Sequence, residues 1–199
     1  DPVRFIGNHS SGRQGLAIAY EALKAGADVT VIAGETDPFN LPGATVIKVK
    51  SAEDMLKVVE QNFVDADVLV MAAAVADFKV DQDSPVKLKK DEFTHIALVK
   101  NPDILATMGA KKRSHQVIVG FAAETAHDIE NLGLKKMQSK GADLLYVNDV
   151  SGGAVFGQER TSGMLLGMDI AARSFKNESK YVVAQEIVKE IANRLERHG

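Results

Sequence analysis

Three stretches of this sequence carry residue types suited to handling phosphate. The first is Gly7-Asn8-His9-Ser10-Ser11-Gly12-Arg13-Gln14-Gly15, a polar, glycine-punctuated loop that runs into a helix. Free backbone N–H groups at such a start, with the positive end of the helix dipole, make a ready anion site. Gly12-x-x-Gly15 alone is a weak signal, because many helix starts carry glycines for packing. The second stretch is Asp67 to Phe78. Val68-Leu69-Val70-Met71 is a continuous apolar run, the mark of a strand buried on both faces of a parallel sheet. Ala72-Ala73-Ala74-Val75-Ala76 follows, small enough to let a ligand approach the backbone, and Asp77 is the first acid after it. Ligands of open α/β sheets bind beyond the carboxyl ends of the strands, so this floor suits a nucleotide. A buried strand running into an alanine-rich helix start is the plainer alternative. The third feature is a concentration of cations: Lys87, Lys89, Lys90, Lys100, Lys111, Lys112, Arg113, Lys135, Lys136 and Lys140 share one central third of the chain. They fit solvated helix faces or a polyphosphate pocket, and composition does not choose between these.

Other chemistries find less support. A dinucleotide fold wants Gly-x-Gly-x-x-Gly after a full strand and an acid about twenty residues later. Glu35 is suitably placed, but the triple-glycine pattern is missing. Tyr20-x-x-x-Lys24 imitates a short-chain dehydrogenase pair on what reads as helix surface. His9, His95, His115, His127 and His198 lack metal-ligand spacing, and no serine sits in a nucleophile elbow. Cysteine is absent, which excludes a thiol nucleophile and a thiolate metal site and fits a reducing compartment such as the cytoplasm.

The elements that must position these residues alternate. Val3-Arg4-Phe5-Ile6 reads as a short strand or extended lead-in. A helix follows with Leu16, Ala19, Tyr20 and Leu23 as its apolar face and Gly26 as C-terminal cap. Val29 to Ile32 and Ala44 to Val49 read as strands, and Ser51-Ala52-Glu53-Asp54 as a capping box opening a helix through Asn62. Val86-Lys87-Leu88-Lys89-Lys90 suits an extended segment with lysines on one side. Asn101-Pro102-Asp103 opens a helix with Pro at its first position. Val117 to Phe121 and Leu144 to Val147 are further buried strands, separated by a helix from about Asp128 to Lys140. Residues 150–176 suggest a β-meander or flap, and Ser179 caps a last helix to about Arg197. The pattern predicts an α/β, doubly wound, mostly parallel Rossmann-like sheet with a small β flap near the C-terminus.

The 199 residues suffice for one domain with a full core, and the net charge of −3 argues against general nucleic-acid binding. No apolar run approaches the ~18 residues of a membrane span.

Taken together, Asp1-Pro2-Val3-Arg4-Phe5-Ile6, Asn8-His9-Ser10-Ser11-Gly12, Ala73-Ala74-Val75-Ala76-Asp77-Phe78, Lys87-Leu88-Lys89-Lys90, Lys100-Asn101-Pro102-Asp103-Ile104, Gly120-Phe121-Ala122-Ala123-Glu124-Thr125 and Asn148-Asp149-Val150 resemble the phosphopantothenate–cysteine ligase family. The resemblance covers residues 1 to about 150, in order, and is looser in the last 50. It implies, in the bacterial branch, activation of 4′-phosphopantothenate by CTP to an acyl-cytidylate, with Mg²⁺, followed by attack of cysteine's amine. It also implies site residues. Cytosine and ribose would lie against Met71, Ala72 and Ala73 with Asp77 nearby. Pro102, Asp103, Ile104, Leu105 and Phe121 would close the pocket, and Lys136 and Lys140 would contact the nucleotide. Ser10, Ser11 and Gly12 would face phosphate, Lys87 would act on the α-phosphate, and Asn8 would serve amide formation. No metal ligand is assigned. The family is usually dimeric, and residues 150–176 are a candidate dimerisation segment. The chain resembles a ligase domain (1–199) lacking the family's first strand and phosphate loop, with a flavin-dependent decarboxylase often fused upstream. The alternatives are an NAD(P)-dependent Rossmann-type oxidoreductase and a catalytically silent nucleotide-binding module.

Overall fold

In chain order the elements are α1 (Arg13–Lys24), β1 (Val29–Ala33), β2 (Ala44–Lys48), α2 (Ala52–Phe63), β3 (Val68–Met71), β4 (Phe78–Val80), β5 (Leu98–Lys100), α3 (Ile104–Lys111), β6 (Val117–Glu124), α4 (Ile129–Lys140), β7 (Leu144–Asp149), β8 (Arg160–Gly167), β9 (Ile170–Ser179) and α5 (Lys180–His198). They are those of a computed structural model that describes residues 1–8, 10–89, 95–125, 128–151 and 158–198. His9, Lys90, His127 and residues 152–157 of the expected flap lie outside the described residues.

Five strands form the main sheet in the order β3-β6-β7-β8-β9. β3, β6 and β7 run parallel, while β8 and β9 continue antiparallel. A parallel return needs a long crossover, and only Met168-Asp169 joins β8 to β9, so a hairpin is the available solution. β1 and β2 form a separate parallel pair, and β4 and β5 a separate antiparallel one.

The sheet is covered on both faces. Val117, Val119, Leu144, Tyr146 and Leu165 point to one side, where Ala17 and Ile18 of α1 meet Val183, Ala184 and Ile187 of α5. Ile118 points to the other, against Met55, Val59, Phe63, Ile104 and Met108. Met137 of α4 packs there on Leu145, Val147 and Leu166. Alternating side chains along β6 and β7 thus feed two cores, which is why these strands read as continuous apolar runs.

Several local expectations change. α1 buries Ala17, Ile18, the expected Ala19 and Glu21, while Tyr20 stays exposed and stacks edge-on against Tyr181, with 5.8 Å between centroids. The burial stripe follows the α5 contact rather than the leucines. Gly26 does lie just past the helix end at φ 88°, where the Gly26 and Ala27 amides donate back to Leu23 and Ala22. Pro102 precedes α3 instead of opening it, because the Asp103 side chain takes the cap by accepting from the Ala106 amide at 2.9 Å. Val3 to Ile6 form no strand and are exposed, Phe5 at 83%. Lys87 and Lys89 are exposed on irregular backbone. Of the two readings of residues 150–176, the β-meander holds for β8 and β9, which follow β7 as antiparallel neighbours with Leu165 and Leu166 fully buried.

Candidate functional site

The floor begins where β3 ends. Met71 pairs with Gly120 of β6, and a Cβ on Gly120 would lie 2.8 Å from Leu105 Cδ2. The first turn of α3 therefore occupies the space over Gly120. From the other side, the first turn of α1 rests on the floor: a Cβ on Gly15 would stand 3.5 Å from Ala72 Cβ. Gly12, just before α1, is left-handed at φ 72°, and a Cβ there would meet Thr36 Cγ2 at 2.9 Å. Conformation and space both exclude a side chain at this turn.

Two asparagines tie the rest of the floor down. Asn8 Nδ2 donates to the Val75 carbonyl at 3.2 Å, and Asn101 Nδ2 to the Ala76 carbonyl at 2.8 Å. The Asn101 amide also donates to the Asp77 carbonyl at 2.8 Å. Ala72 to Asp77 is therefore irregular backbone held at fixed points, not the alanine-rich helix start that the sequence left open.

α3 and α4 supply the charged rim. Asp103 pairs with Lys140, and Glu124 Oε1 lies 3.5 Å from Lys136 Nζ. Burial raises the Asp103 carboxyl, but the Lys140 ammonium, the Ala106 amide and the charge of Lys136 outweigh it and hold the group below the usual carboxylate range. The helices meet backbone to backbone: a Cβ on Gly109 would fall 2.0 Å from the Lys140 carbonyl oxygen. This close approach brings Lys140 to Asp103. Phe121 stands on β6 with its ring 5.7 Å from that of Tyr146.

Met71, Ala72, the start of α3, Gly12 and Asn8 thus converge around the carboxyl end of β3, and Lys136 and Lys140 hold the outer wall. Ile104 has its side chain sealed in the core. The Ser10 hydroxyl accepts from the Gly12 amide at 3.4 Å, and Ser11 is half-buried. Lys87 stands apart from this group. Its neighbour Leu88 is bound by the chain start, the Leu88 amide donating to Asp1 Oδ2 at 3.3 Å and Arg4 Nη2 to the Leu88 carbonyl at 3.1 Å. The Lys87 ammonium has no hydrogen bond or ion pair among the described residues, and the Asp77 carboxylate is exposed and also has none. Asn101, quoted in the sequence only beside Pro102, emerges as the anchor of the floor. Among the described residues no group of three carboxylates or histidines is placed to hold a metal.

This arrangement brings together backbone donors, small side chains and lysines at one end of the sheet. Residues 1–195 match the family described as the DNA/pantothenate metabolism flavoprotein C-terminal domain. The coenzyme A biosynthesis bifunctional protein CoaBC of Mycobacterium tuberculosis is 42% identical over 207 residues, which cover 98% of this chain and 49% of that protein. Its counterpart in Haemophilus influenzae is 37% identical, covering 99% and 49%. The chain spans about half the length of the curated relatives it matches. Among solved structures, the C-terminal domain of coenzyme A biosynthesis bifunctional protein CoaBC superposes with a TM-score of 0.83 at 34% identity, covering 99% of this chain and 89% of that one. A Cab2 mutant in complex with phosphopantothenate-cysteine shares the fold, with a TM-score of 0.74 at 15% identity over 98% of this chain and 81% of that one.

Proposed function

Because the chain belongs to the DNA/pantothenate metabolism flavoprotein C-terminal domain family, we propose that it ligates 4′-phosphopantothenate to L-cysteine with CTP, a step of coenzyme A biosynthesis. The observation that carries this reading is the whole-chain likeness to the C-terminal domain of CoaBC. The site chemistry agrees with it. In the first half-reaction a carboxylate oxygen of the acid attacks the α-phosphorus of CTP, forming an acyl-cytidylate and expelling pyrophosphate. In the second, the amine of cysteine attacks the acyl carbon, CMP leaves, and the amine loses a proton. Neither step needs a protein nucleophile, so the protein's part is to position the reactants and stabilise charge.

In this reading the backbone of Met71, Ala72 and Ala73 contacts the cytosine, with the space over Gly120 closed by Leu105. Phe121, the Pro102 to Leu105 turn, Asp77, Lys136 and Lys140 complete the nucleotide pocket, and Ser10, Ser11 and Gly12 face its phosphates. Lys87 reaches the α-phosphate when its segment closes, and Asn8 donates to the acyl oxygen. Mg²⁺ is carried by the phosphates of CTP, as that ion commonly is.

A two-fold dimer is part of the proposal, and its contact lies on exposed apolar residues, Val3, Phe5 and Ile6 at the chain start and Phe78 and Leu98 of the β4–β5 pair, rather than on buried β8. The relatives' bifunctional length suggests a flavin-dependent decarboxylase in the same polypeptide or bound to it. No helix among the described residues is long and apolar enough to cross a membrane, and the proposed setting is the cytoplasm.

The test is pyrophosphate release from CTP, 4′-phosphopantothenate and Mg²⁺, with and without cysteine. Release that becomes multiple-turnover with cysteine is expected. Absence of release in both arms overturns the ligase reading, and equal turnover with ATP overturns the assignment of CTP.

A further inference from the structure

Asn148-Asp149-Val150, a motif with no part in the proposed reaction, begins at the end of β7. Asn148 stands level with Ala123 of β6 on one side and Gly163 of β8 on the other. Its side chain is engaged at both ends. Nδ2 donates to the Ala122 carbonyl at 3.4 Å, and Oδ1 accepts from Thr161 Oγ1 at 3.0 Å. A backbone carbonyl only accepts, so the nitrogen must face Ala122, which leaves the oxygen for the hydroxyl. The amide therefore has one orientation.

Thr161 is 3% exposed. It reaches Asn148 where the strands lie unusually close: a Cβ on Gly163 would fall on the Val147 carbonyl oxygen, an approach that only glycine allows. On its other side β8 meets an irregularity. Thr161 lies opposite Glu178 and Gly163 opposite Phe175, so β9 carries one residue more than β8 over this step. Within it Asn177 is left-handed at φ 49°, the one non-glycine residue with positive φ among the described residues. The neighbours of Thr161 hold it there. The Asn177 amide donates to Ser162 Oγ at 2.9 Å, and Arg160 Nε donates to the Asn177 carbonyl at 2.8 Å. Bulges beside active sites commonly re-aim a side chain. Here Arg160 and Ser162 engage β9 while Thr161, between them, engages β7.

We propose that Thr161 is a positioning residue of the nucleotide pocket, acting through Asn148. The carbonyl that Asn148 holds belongs to the residue after Phe121, and Glu124, two residues further on, is the partner of Lys136. Phe121 and Lys136 both line the pocket of the ligase reading, on which this inference rests for its ligand. Without the Thr161 hydroxyl the Asn148 amide is free to turn, and the end of β6 loses a fixed point.

Thr161→Val keeps the shape and removes the donor, whereas Thr161→Ser keeps the donor. Calorimetric titration with CTP, and separately with ATP, compares them. The unmutated protein should bind CTP. Thr161→Val should weaken that binding about three- to tenfold, the worth of one neutral hydrogen bond, and Thr161→Ser should restore it. In an Asn148→Ala background Thr161→Val should cost no further affinity, because the route through Asn148 is already cut. A threonine that only stabilises the sheet would lower the urea midpoint and leave the nucleotide affinity of the folded protein intact. Should Thr161→Val crowd Asn148 and not fold, Thr161→Ala, which leaves space there, must show the same loss. Without any ligand, the backbone amide resonances of Ala123 and Glu124 should shift in Thr161→Val and return in Thr161→Ser. Wild-type nucleotide affinity in the folded variant, an equal loss in the Asn148→Ala background, or unmoved resonances overturn the proposal. If the unmutated protein binds neither nucleotide, the ligase reading falls, and the resonances still decide whether Thr161 sets the end of β6.

Discussion

Asn8 and Lys87 stand in different relations to the floor. Asn8 is already bonded to the Val75 carbonyl, so its amide is oriented before any substrate arrives, whereas Lys87 must be carried in by its segment. In the proposed reaction Asn8→Asp replaces a donor by an anion beside an anionic intermediate. Acyl-cytidylate should accumulate while amide formation stalls, and normal amide formation would leave Asn8 a turn residue. Lys87→Gln should slow pyrophosphate release about 10²–10³-fold, the usual cost of one lost transition-state contact; a near-normal rate would make it a surface lysine. Tyr146 shows a different dependence. Its phenol is fully buried beside Thr161, whose own hydroxyl donates to Asn148 at 3.0 Å, and burial pushes it up to about 12. The unfolded chain ionises it near 10, so the folded state gains from the neutral phenol below pH 10 and loses that gain as the pH rises towards 12. Unfolding free energies from urea titrations should fall across this window by up to about 1.4 kcal/mol per pH unit, and Tyr146→Phe should flatten the fall. Met71 to Ala73 and Asp103 were legible as candidates because a local run and a quoted motif contain them, and Lys140 only through the family resemblance. The anchoring role of Asn101 was not, since its side chain bonds a carbonyl 25 residues away that no local pattern records.

Among the elements, the α3–α4 contact sets the position of Lys140 in the proposed nucleotide pocket. Gly109 and Gly141 let the helices touch through backbone, and Gly141, at φ 65°, also ends α4. A methyl on Gly109 has nowhere to go but into the Lys140 carbonyl, so the helices must separate. Gly109→Ala should destabilise the fold by about 1–3 kcal/mol, the range for overpacking, and weaken nucleotide binding by drawing Lys140 from Asp103. Denaturant midpoints and CTP affinity, measured on one sample, check both. An unchanged midpoint would mean that the contact is softer than its geometry. Helix ends were the most readable parts of the sequence where side chains cap them. Ser51 and Asp54 form the expected box, at 3.0 and 3.2 Å. Pro102 misled by one or two residues because a capping aspartate beside it outranked proline's preference for the first turn.

Taken whole, the molecule has one deep sheet and one shallow one. β6 and β7 are buried on both faces, whereas β2 is mostly exposed and β1 pairs with it alone. Amide exchange should therefore be slowest in β6 and β7, at the rate of global unfolding, and faster in β1 and β2 through local opening. Equal protection would show that the pair belongs to the same cooperative unit. The α/β alternation and the two buried faces could be read from period and composition. The strand order could not, since β3 reaches β6 across two intervening strands and the antiparallel end depends on one short connection. The packing of α1 on α5 also bears on how the protein is made. Ala17 and Ile18 leave the ribosome about 165 residues before Val183, Ala184 and Ile187, which cover them. At ~5–20 residues per second that apolar face waits on the order of ten to thirty seconds for its partner. The nascent chain must spend that interval with one side of its central sheet open, and its dependence on chaperones is set by how soon α5 follows.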